Sequence, residues 1–226
     1  AVLPVEGWTL ESHLALDQRL DDVPGVKWVA PVAVRREWSS GAFVAGYAPL
    51  PNWGYGRTAP LVLSDLAPPM LQVGFRWRSG KFTYEKLVGF PDFSQNKYLF
   101  AHRLEVSPTP TLDLSVSEVV MASEKAARVY TNFIPGWPLY LNQHFGIGNF
   151  HNDDFNGHLA LGARWQSPWA TLYGDLFVDD MPMSPEHGDA YLIAAQGGIE
   201  RPIILWGREA VLGVEYTRVN NWTYTI

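Results

Sequence analysis

Hydrophobic and polar side chains alternate along the stretch from Glu209 to Thr217. One face of this stretch carries Ala210, Leu212, Val214 and Tyr216. A period of two is typical of a β-strand with a single apolar face. In a soluble sandwich the apolar face would point into the core. In a membrane barrel it would point outward to lipid, and the polar face would line the lumen.

The same alternation recurs along most of the chain. Strands are predicted at 7–20, 26–38, 40–47, 70–77, 81–90, 97–107, 111–122, 157–166, 169–179, 189–199, 203–206 and 208–219. Pro31 predicts an edge or a bulge within the second of them. Ser123–Tyr130 predicts one short helix with Ser123 as its N-cap. Because strands do not alternate with helices, the pattern predicts an all-β chain of roughly ten to twelve antiparallel strands.

Two long stretches interrupt the strand pattern. Residues 49–69 hold five prolines together with Trp53 and Tyr55, and residues 131–156 are rich in aromatic and asparagine residues. Loops of this length in a compact domain are usually functional. A short turn of helix is expected near 61–66 in the first. Residues 1–226 are therefore expected to form one β domain, with both loops on one side of it.

Composition narrows the class of protein. The formal net charge is −6, and the chain has 10 Trp, 10 Tyr, 11 Phe and no Cys. Nucleic acid is not an expected partner, because phosphate binding needs a basic surface. Trp and Tyr favour membrane interfaces, sugar sites and protein interfaces. No stretch approaches the ~20 apolar residues of a spanning helix, so a membrane role would need a β-barrel or surface attachment. The lack of cysteine suits an envelope protein that crosses an oxidising periplasm.

Three segments share motifs with a known family when they are taken together and in order. They are LFAHRLEVSPTPTLDLSVSE from Leu99, GHLALGARWQSPWATLYGDLFVDD from Gly157 and VEYTRVNNWTYT from Val214. In this combination the chain resembles the capsule-assembly Wzi-like family of outer-membrane proteins. The resemblance covers about Leu99 to Thr225, a little over half the chain. Each segment alone is a generic amphipathic strand, so the specificity lies in their joint order.

The resemblance implies a transmembrane β-barrel in the bacterial outer membrane that attaches or assembles capsular or other surface polysaccharide, without catalysis and without a cofactor. Its expected partners are that polysaccharide and outer-membrane lipid. The family's full barrel is larger than 226 residues comfortably supply. The chain is accordingly expected to be a shortened member or a portion of a larger barrel.

The aromatic loops contain the best candidate binding residues. Sugars stack their C–H faces on aromatic rings while their hydroxyls take hydrogen bonds, so rings mixed with amides and carboxylates favour glycan binding. The candidates are Trp53, Tyr55, Trp137, Tyr140, Asn142, Asn152 and Asp153. The alternative is that these residues pack a loop or plug the lumen. A second set of polar strand positions, Arg76, Arg78, Arg103, Glu105 and Glu215, predicts a structural charge network rather than a conducting filter.

Catalytic and metal-binding patterns are weak. The adjacent pairs Asp153-Asp154 and Asp179-Asp180 do not by themselves give the carboxylate geometry of a glycosidase, because neighbouring strand residues point to opposite faces. His144 and His151 have no accompanying metal-binding motif. Two alternatives to the non-catalytic attachment protein stay open: a porin or small-solute channel on the same barrel, and a soluble β-sandwich that binds or cleaves glycans.

Overall fold

The computed structural model describes residues 2–5, 7–12, 15–17, 27–29, 32–58, 60–92, 97–127, 130–139, 155–179 and 192–220. The strands in these ranges are β1 (Val2–Val5), β2 (Trp8–Ser12), β3 (Ala15–Asp17), β4 (Lys27–Val29), β5 (Val32–Trp38), β6 (Gly41–Ala48), β7 (Met70–Ser79), β8 (Phe82–Asp92), β9 (Lys97–Thr109), β10 (Leu112–Ala122), β11 (Phe155–Gln166), β12 (Thr171–Asp179), β13 (Leu192–Leu205) and β14 (Arg208–Val219). The helical segments are α1 (Glu124–Ala127) and a 3₁₀ helix at Tyr130–Phe133.

Twelve of these strands form one antiparallel sheet in the order β1-β2-β5-β6-β7-β8-β9-β10-β11-β12-β13-β14. Each strand pairs with its successor in that order, and β3 pairs with β4 in a separate two-stranded sheet. Sequential antiparallel pairing needs only local connections, which is why alternation along the chain is enough to specify it. The predicted all-β antiparallel architecture is confirmed.

The sheet is not closed into a barrel in the described part of the chain. There β1 pairs only with β2, and β14 pairs only with β13. A ladder between these two outer strands would join unequal partners, since β1 has 4 residues and β14 has 12. The barrel implied by the family resemblance is therefore not closed among these strands.

Connections differ in length between the two ends of the sheet. At one end β5–β6, β7–β8, β9–β10 and β13–β14 are joined by two-residue turns, and β11–β12 by residues 167–170. At the other end β6–β7 are joined by residues 49–69, β10–β11 by 123–154 and β12–β13 by 180–191. Both predicted long loops leave the sheet from this second end. We refer to the two ends as the short-turn end and the long-loop end.

Several predicted boundaries need correction. The predicted strands at 7–20 and 26–38 are each divided, so that β2 and β5 join the large sheet while β3 and β4 pair with each other. The helical turn expected near 61–66 is wrong, because Leu63 forms an isolated antiparallel bridge with Trp53. The helix predicted to begin after Ser123 is confirmed in a shorter form. Its first backbone bond runs from the Ala127 N–H to the Ser123 carbonyl at 2.8 Å.

One loop bonds to strands at both ends of the second half of the large sheet. Tyr55 bonds to Glu105 on β9, and Thr58 bonds to Glu215 on β14. These strands are five positions apart in the sheet, and the loop side chains reach them from a single face. We call the face toward the loop the inner face and the opposite one the outer face.

Candidate functional site: a plug on the inner face of the sheet

The polarity of the large sheet is inverted relative to that of a soluble β-protein. Leu161 on the outer face is 51% exposed, whereas Asp175 on the inner face of the neighbouring strand is 5% exposed. Direct cross-strand pairing makes Leu104, Val116, Leu161 and Leu176 one continuous exposed row on the outer face of β9 to β12. A soluble monomer rarely exposes an apolar surface that runs across this many strands.

Exposed aromatic side chains cluster at the short-turn end. Each lies in, or within three residues of, one of the short connections. The set comprises Trp38, Trp77, Phe82, Trp165, Trp169 and Trp206. Trp206 also has a positive φ of 50° in the β13–β14 turn, followed by Gly207 at 74°. Two successive left-handed residues match the twist of a tight hairpin, and they leave the indole at the rim of the sheet.

The inner face carries most of the buried polar residues of the sheet. Gln72, Arg103, Ser117, His158, Asp175 and Gln196 are all buried there. Burial of so many polar groups is stable only when they are hydrogen-bonded. Much of the covering material is the β6–β7 connection, residues 49–58 and 60–69, which we call the plug. Gln72 illustrates the contact, since its side-chain Nε2 donates to the carbonyls of Ala48 and Pro49 at 2.7 Å each.

The base of the plug is apolar. Trp53 is 2% exposed, and it packs in one cluster with Leu50 and Leu63 of the plug and with Leu87 and Leu99 of the sheet. The backbone bridge between Trp53 and Leu63 folds the plug into a narrow loop, with the Trp53 N–H donating to the Leu63 carbonyl at 2.9 Å. This packing holds the plug against β7 to β10.

The tip of the plug is polar and is centred on Tyr55. Its backbone N–H donates to Asp175 Oδ2 at 2.6 Å, and the Gly56 N–H donates to the same oxygen at 3.2 Å. The phenol donates to Glu105 Oε2 at 2.9 Å. Arg103 and Arg164 lie 5.2 and 5.3 Å from the centre of the Tyr55 ring. Burial, together with the nearby Glu105 carboxylate, raises the pKa of Tyr55 to about 12.

The backbone at the tip requires close approach to the sheet. A Cβ atom on Gly56 would overlap the end of the Gln196 side chain, so glycine lets the plug backbone and Gln196 lie this close together. On the sheet side, a Cβ on Gly162 would lie 2.6 Å from Asp175 Oδ1 and 3.0 Å from Tyr55 Cε2. The two glycines therefore create the space in which Tyr55 meets Asp175.

The plug is also tied to the last two strands. Arg57 makes a two-point contact with Glu200, with Nε to Oε1 at 2.5 Å and Nη2 to Oε2 at 2.8 Å. Glu215 accepts from the Arg57 N–H at 2.7 Å and also bonds the Thr58 hydroxyl. Tyr173 donates its phenol to the same Glu215 carboxylate at 2.8 Å. Planar guanidinium–carboxylate pairs of this kind fix orientation as well as adding attraction.

The described part of the other long loop lies on the opposite face. There the Gly136 N–H donates to the Tyr84 phenol at 2.8 Å, and the Leu139 N–H donates to Glu118 Oε2 at 2.8 Å. Both side chains project from the outer face. This segment, residues 130–139, covers an outer-face polar pair in which His102 Nε2 lies 2.6 Å from Glu118 Oε2. Both long loops thus start from the same end of the sheet but fold against different faces.

The structure describes three of the seven predicted glycan-binding residues. Trp53 and Tyr55 lie in the plug, where they contact the sheet. Trp137 lies in the outer-face segment, so it is not brought together with the first two. Tyr140, Asn142, Asn152 and Asp153 lie outside the described residues. Glycan binding by these residues stays a prediction.

Three of the five residues of the expected charge network, Arg103, Glu105 and Glu215, lie in contacts around the plug. Arg103 donates to Glu105 at 2.7 Å, and Glu215 holds the plug tip. Asp175, Glu200 and Arg57 were not among the expected site residues. Asp175 and Glu200 could have been noticed as acidic residues on the polar face of alternating strands. However, nothing near them in the sequence shows that they bind a loop more than a hundred residues away.

No family model matches the chain, and no curated protein matches it. None of the helical segments among the described residues has the length and apolar content that a membrane crossing requires. Within the same residues, no group of three or more His, Asp or Glu side chains is arranged to hold a metal ion.

Proposed function

We propose that this chain forms a β-barrel of the bacterial outer membrane, alone or as part of a larger barrel, that attaches or assembles surface polysaccharide without catalysis. The observation that carries the proposal is the inverted polarity of the sheet. Large apolar side chains cover the outer face, while buried polar side chains cover the inner face. If lipid contacts the outer face, both the exposed apolar side chains there and the buried polar side chains on the inner face are favourable.

Two further features support a membrane location. The central strands β7 to β12 have between 9 and 13 residues, which matches the ~9–11 tilted residues of a membrane strand. The exposed aromatics at the short-turn end resemble the girdle of an outer-membrane barrel, whose short turns face the periplasm. In this orientation the long loops face the cell exterior. Closure, directly or through further strands of a larger barrel, would pair the edges of β1 and β14 and so remove exposed strand edges.

The plug favours attachment over conduction. Its apolar base and its polar tip contact strands from β7 to β14, so it spans the interior that a channel would leave open. The side chains that reach it form ion pairs and hydrogen bonds with the plug itself. A polysaccharide role rests on the resemblance to the Wzi-like family and on the aromatic residues of the long loops, Trp137 among them.

The membrane part of the proposal is tested by folding the full chain with and without detergent micelles. Circular dichroism and heat-modifiable gel mobility are the two readouts. A β spectrum with a mobility shift only in detergent is expected. A monodisperse, β-rich protein in plain buffer would overturn the proposal and would favour the soluble glycan-binding or glycan-cleaving alternative.

The attachment part needs a separate experiment. The folded chain is reconstituted in planar bilayers and in vesicles, and the vesicles are mixed with purified capsular polysaccharides. We expect no steady conductance and polysaccharide retained on the vesicles. An open pore in the bilayer, without retained polysaccharide, would favour the small-solute channel instead.

A further inference from the structure

A cavity of about 360 Å³ lies on the inner face beside the plug. Its sheet wall comes from β5 to β8 and includes Glu37, Gln72, Arg76 and Glu85, and its plug wall includes Trp53. Small-molecule sites commonly occupy ~300–1,000 Å³. Glu37 and Arg76 lie near the short turns, so the cavity extends from the apolar base of the plug toward the short-turn end. It is separate from the Tyr55 contacts, which lie on β9 to β14.

The lining combines charged side chains of both signs. Arg76 Nη2 is 3.9 Å from Glu37 Oε1, and these side chains are 40% and 61% exposed, so each has hydrogen-bonding capacity left for a ligand. Glu85 pairs directly across the sheet with Arg76. Asn52 and Asp65 complete the polar rim from the plug side. A row of planar donors and acceptors suits a ligand whose neighbouring groups both donate and accept, as ring hydroxyls do.

Three lining residues carry a buried polar atom without a partner among the described residues. Two of them lie on the cavity side: Trp53, whose indole Nε1 is a donor, and Gln72, whose Oε1 is an acceptor. The third, Lys86, belongs to the outer face. Gln72 already uses its Nε2 on two carbonyls, so only its oxygen is left over. Leaving a buried polar atom unsatisfied lowers stability. A bound water or ligand that meets such an atom is one explanation for its presence.

We propose that this cavity binds a neutral, hydroxyl-rich ring, of the class of a single sugar residue, which enters from the short-turn end. The inference deepens the proposed function and rests on it, since it places a sugar site at the periplasmic side of the plug and apart from the long loops. Acidic ligands fit less well. Glu37 and Glu85 of the sheet together with Asp65 of the plug outnumber the guanidiniums of Arg35 and Arg76 in the lining. Lys86 also borders the cavity, but its pairing with His102 places its side chain on the outer face.

The test uses the full chain folded in an amine-oxide detergent, because maltoside headgroups are themselves sugars. Glucose, galactose, mannose and their uronic acids are titrated and followed by saturation-transfer NMR and calorimetry. We expect at least one neutral hexose to bind and its uronic acid to bind more weakly. Arg76→Gln and Glu37→Gln should each weaken that binding about tenfold, the effect of losing a hydrogen bond to a charged group. Arg201→Gln and Glu209→Gln, outside the cavity, serve as matched controls and should leave it unchanged.

Three outcomes would overturn the inference. One is that no sugar binds to a protein whose mobility shift shows that it is folded in detergent; the membrane proposal would then stand without this site. Another is that only uronic acids bind. The third is that binding survives both cavity substitutions, most clearly if Trp137→Ala abolishes it, because the site would then lie in the outer-face segment. Gel mobility of every variant separates loss of binding from loss of folding.

Discussion

The carboxylate of Asp175 accepts a hydrogen bond from the backbone N–H of Tyr55 at 2.6 Å, across 120 residues of sequence. This contact joins the plug to the middle of β12. Gly162 lies beside this contact, and because it has no side chain it leaves room for both partners. Because the same Tyr55 residue also bonds Glu105 on β9, one residue of the plug connects strands that are three positions apart in the sheet.

Substitution of Gly162 should destabilise the fold. In Gly162→Ala the new methyl would lie 2.6 Å from Asp175 Oδ1 and 2.7 Å from Ser115 Oγ, so the carboxylate must move away from the plug. We expect a loss of about 1–3 kcal/mol in the free energy of unfolding, typical of overpacking. Gly197→Ala is the control, since its methyl would meet nothing closer than the Tyr173 carbonyl at 3.6 Å. Equal urea midpoints for the two variants would contradict this account.

Removal of the Tyr55 hydroxyl should change stability in a pH-dependent way. The pKa of Tyr55 is raised from 10.0 to about 12, first by burial and then by Glu105. A raised pKa stabilises the fold fully below pH 10, and this contribution is lost as pH rises through about 12. Two pKa units correspond to at most about 2–3 kcal/mol, and partial exposure to solvent reduces that figure.

The matching experiment compares wild type with Tyr55→Phe. The variant keeps the ring between Arg103 and Arg164 but lacks the titrating group. At neutral pH it should be less stable by about 1–2 kcal/mol, the cost of one hydrogen bond to a carboxylate. Between about pH 9 and pH 12 the wild type should lose more stability than the variant. Parallel curves in urea unfolding would show that Tyr55 does not titrate with a raised pKa.

Glu215 should control how often the plug tip detaches. In Glu215→Ala the Arg57 N–H, the Thr58 hydroxyl and the Tyr173 phenol all lose their acceptor. The Arg57–Thr58 bond should then be cut by trypsin about tenfold faster or more, because proteolysis follows the population of the open form. Mass spectrometry of the fragment ending at Arg57 gives the rate. Glu209→Ala on the same strand should cleave like wild type, and a similar increase there would remove the special role of Glu215.

An arginine introduced on the outer face should show, through its effect on stability, whether that face contacts lipid or water. Leu161 is exposed in the middle of β11, so in a soluble protein Leu161→Arg would change stability by less than ~0.5 kcal/mol. In a bilayer the same substitution should cost about 2–4 kcal/mol at the midplane. Leu205→Arg, next to the turn at the short-turn end, should cost at most ~1 kcal/mol. The comparison is made by denaturant unfolding from vesicles, and equal small effects would argue against a membrane-embedded sheet.

The strand pattern could be read from the sequence because its cause is local. A period of two places Leu212, Val214 and Tyr216 on one face of β14 wherever that strand lies. The same local chemistry gives the short turn after Ser79 and the short helix after Ser123. The local pattern fails where a strand or loop can pair with more than one partner. The first predicted strands divide between two sheets, and Leu63 forms a bridge with Trp53 instead of a helical turn.

The site depended on the tertiary structure. Its contacts to acidic residues of the sheet join residues 50 to 158 positions apart, and no local pattern encodes which acid a loop will find. Trp53, Tyr55 and Trp137 have similar chemistry, yet the first two lie in the plug on the inner face and the third lies in the segment that packs on the outer face. The sequence by itself determined that the sheet has one apolar and one polar face. Only the folding of the plug against the polar face decided which of them is buried, because burial follows from what packs on a face and not from the alternation that creates it.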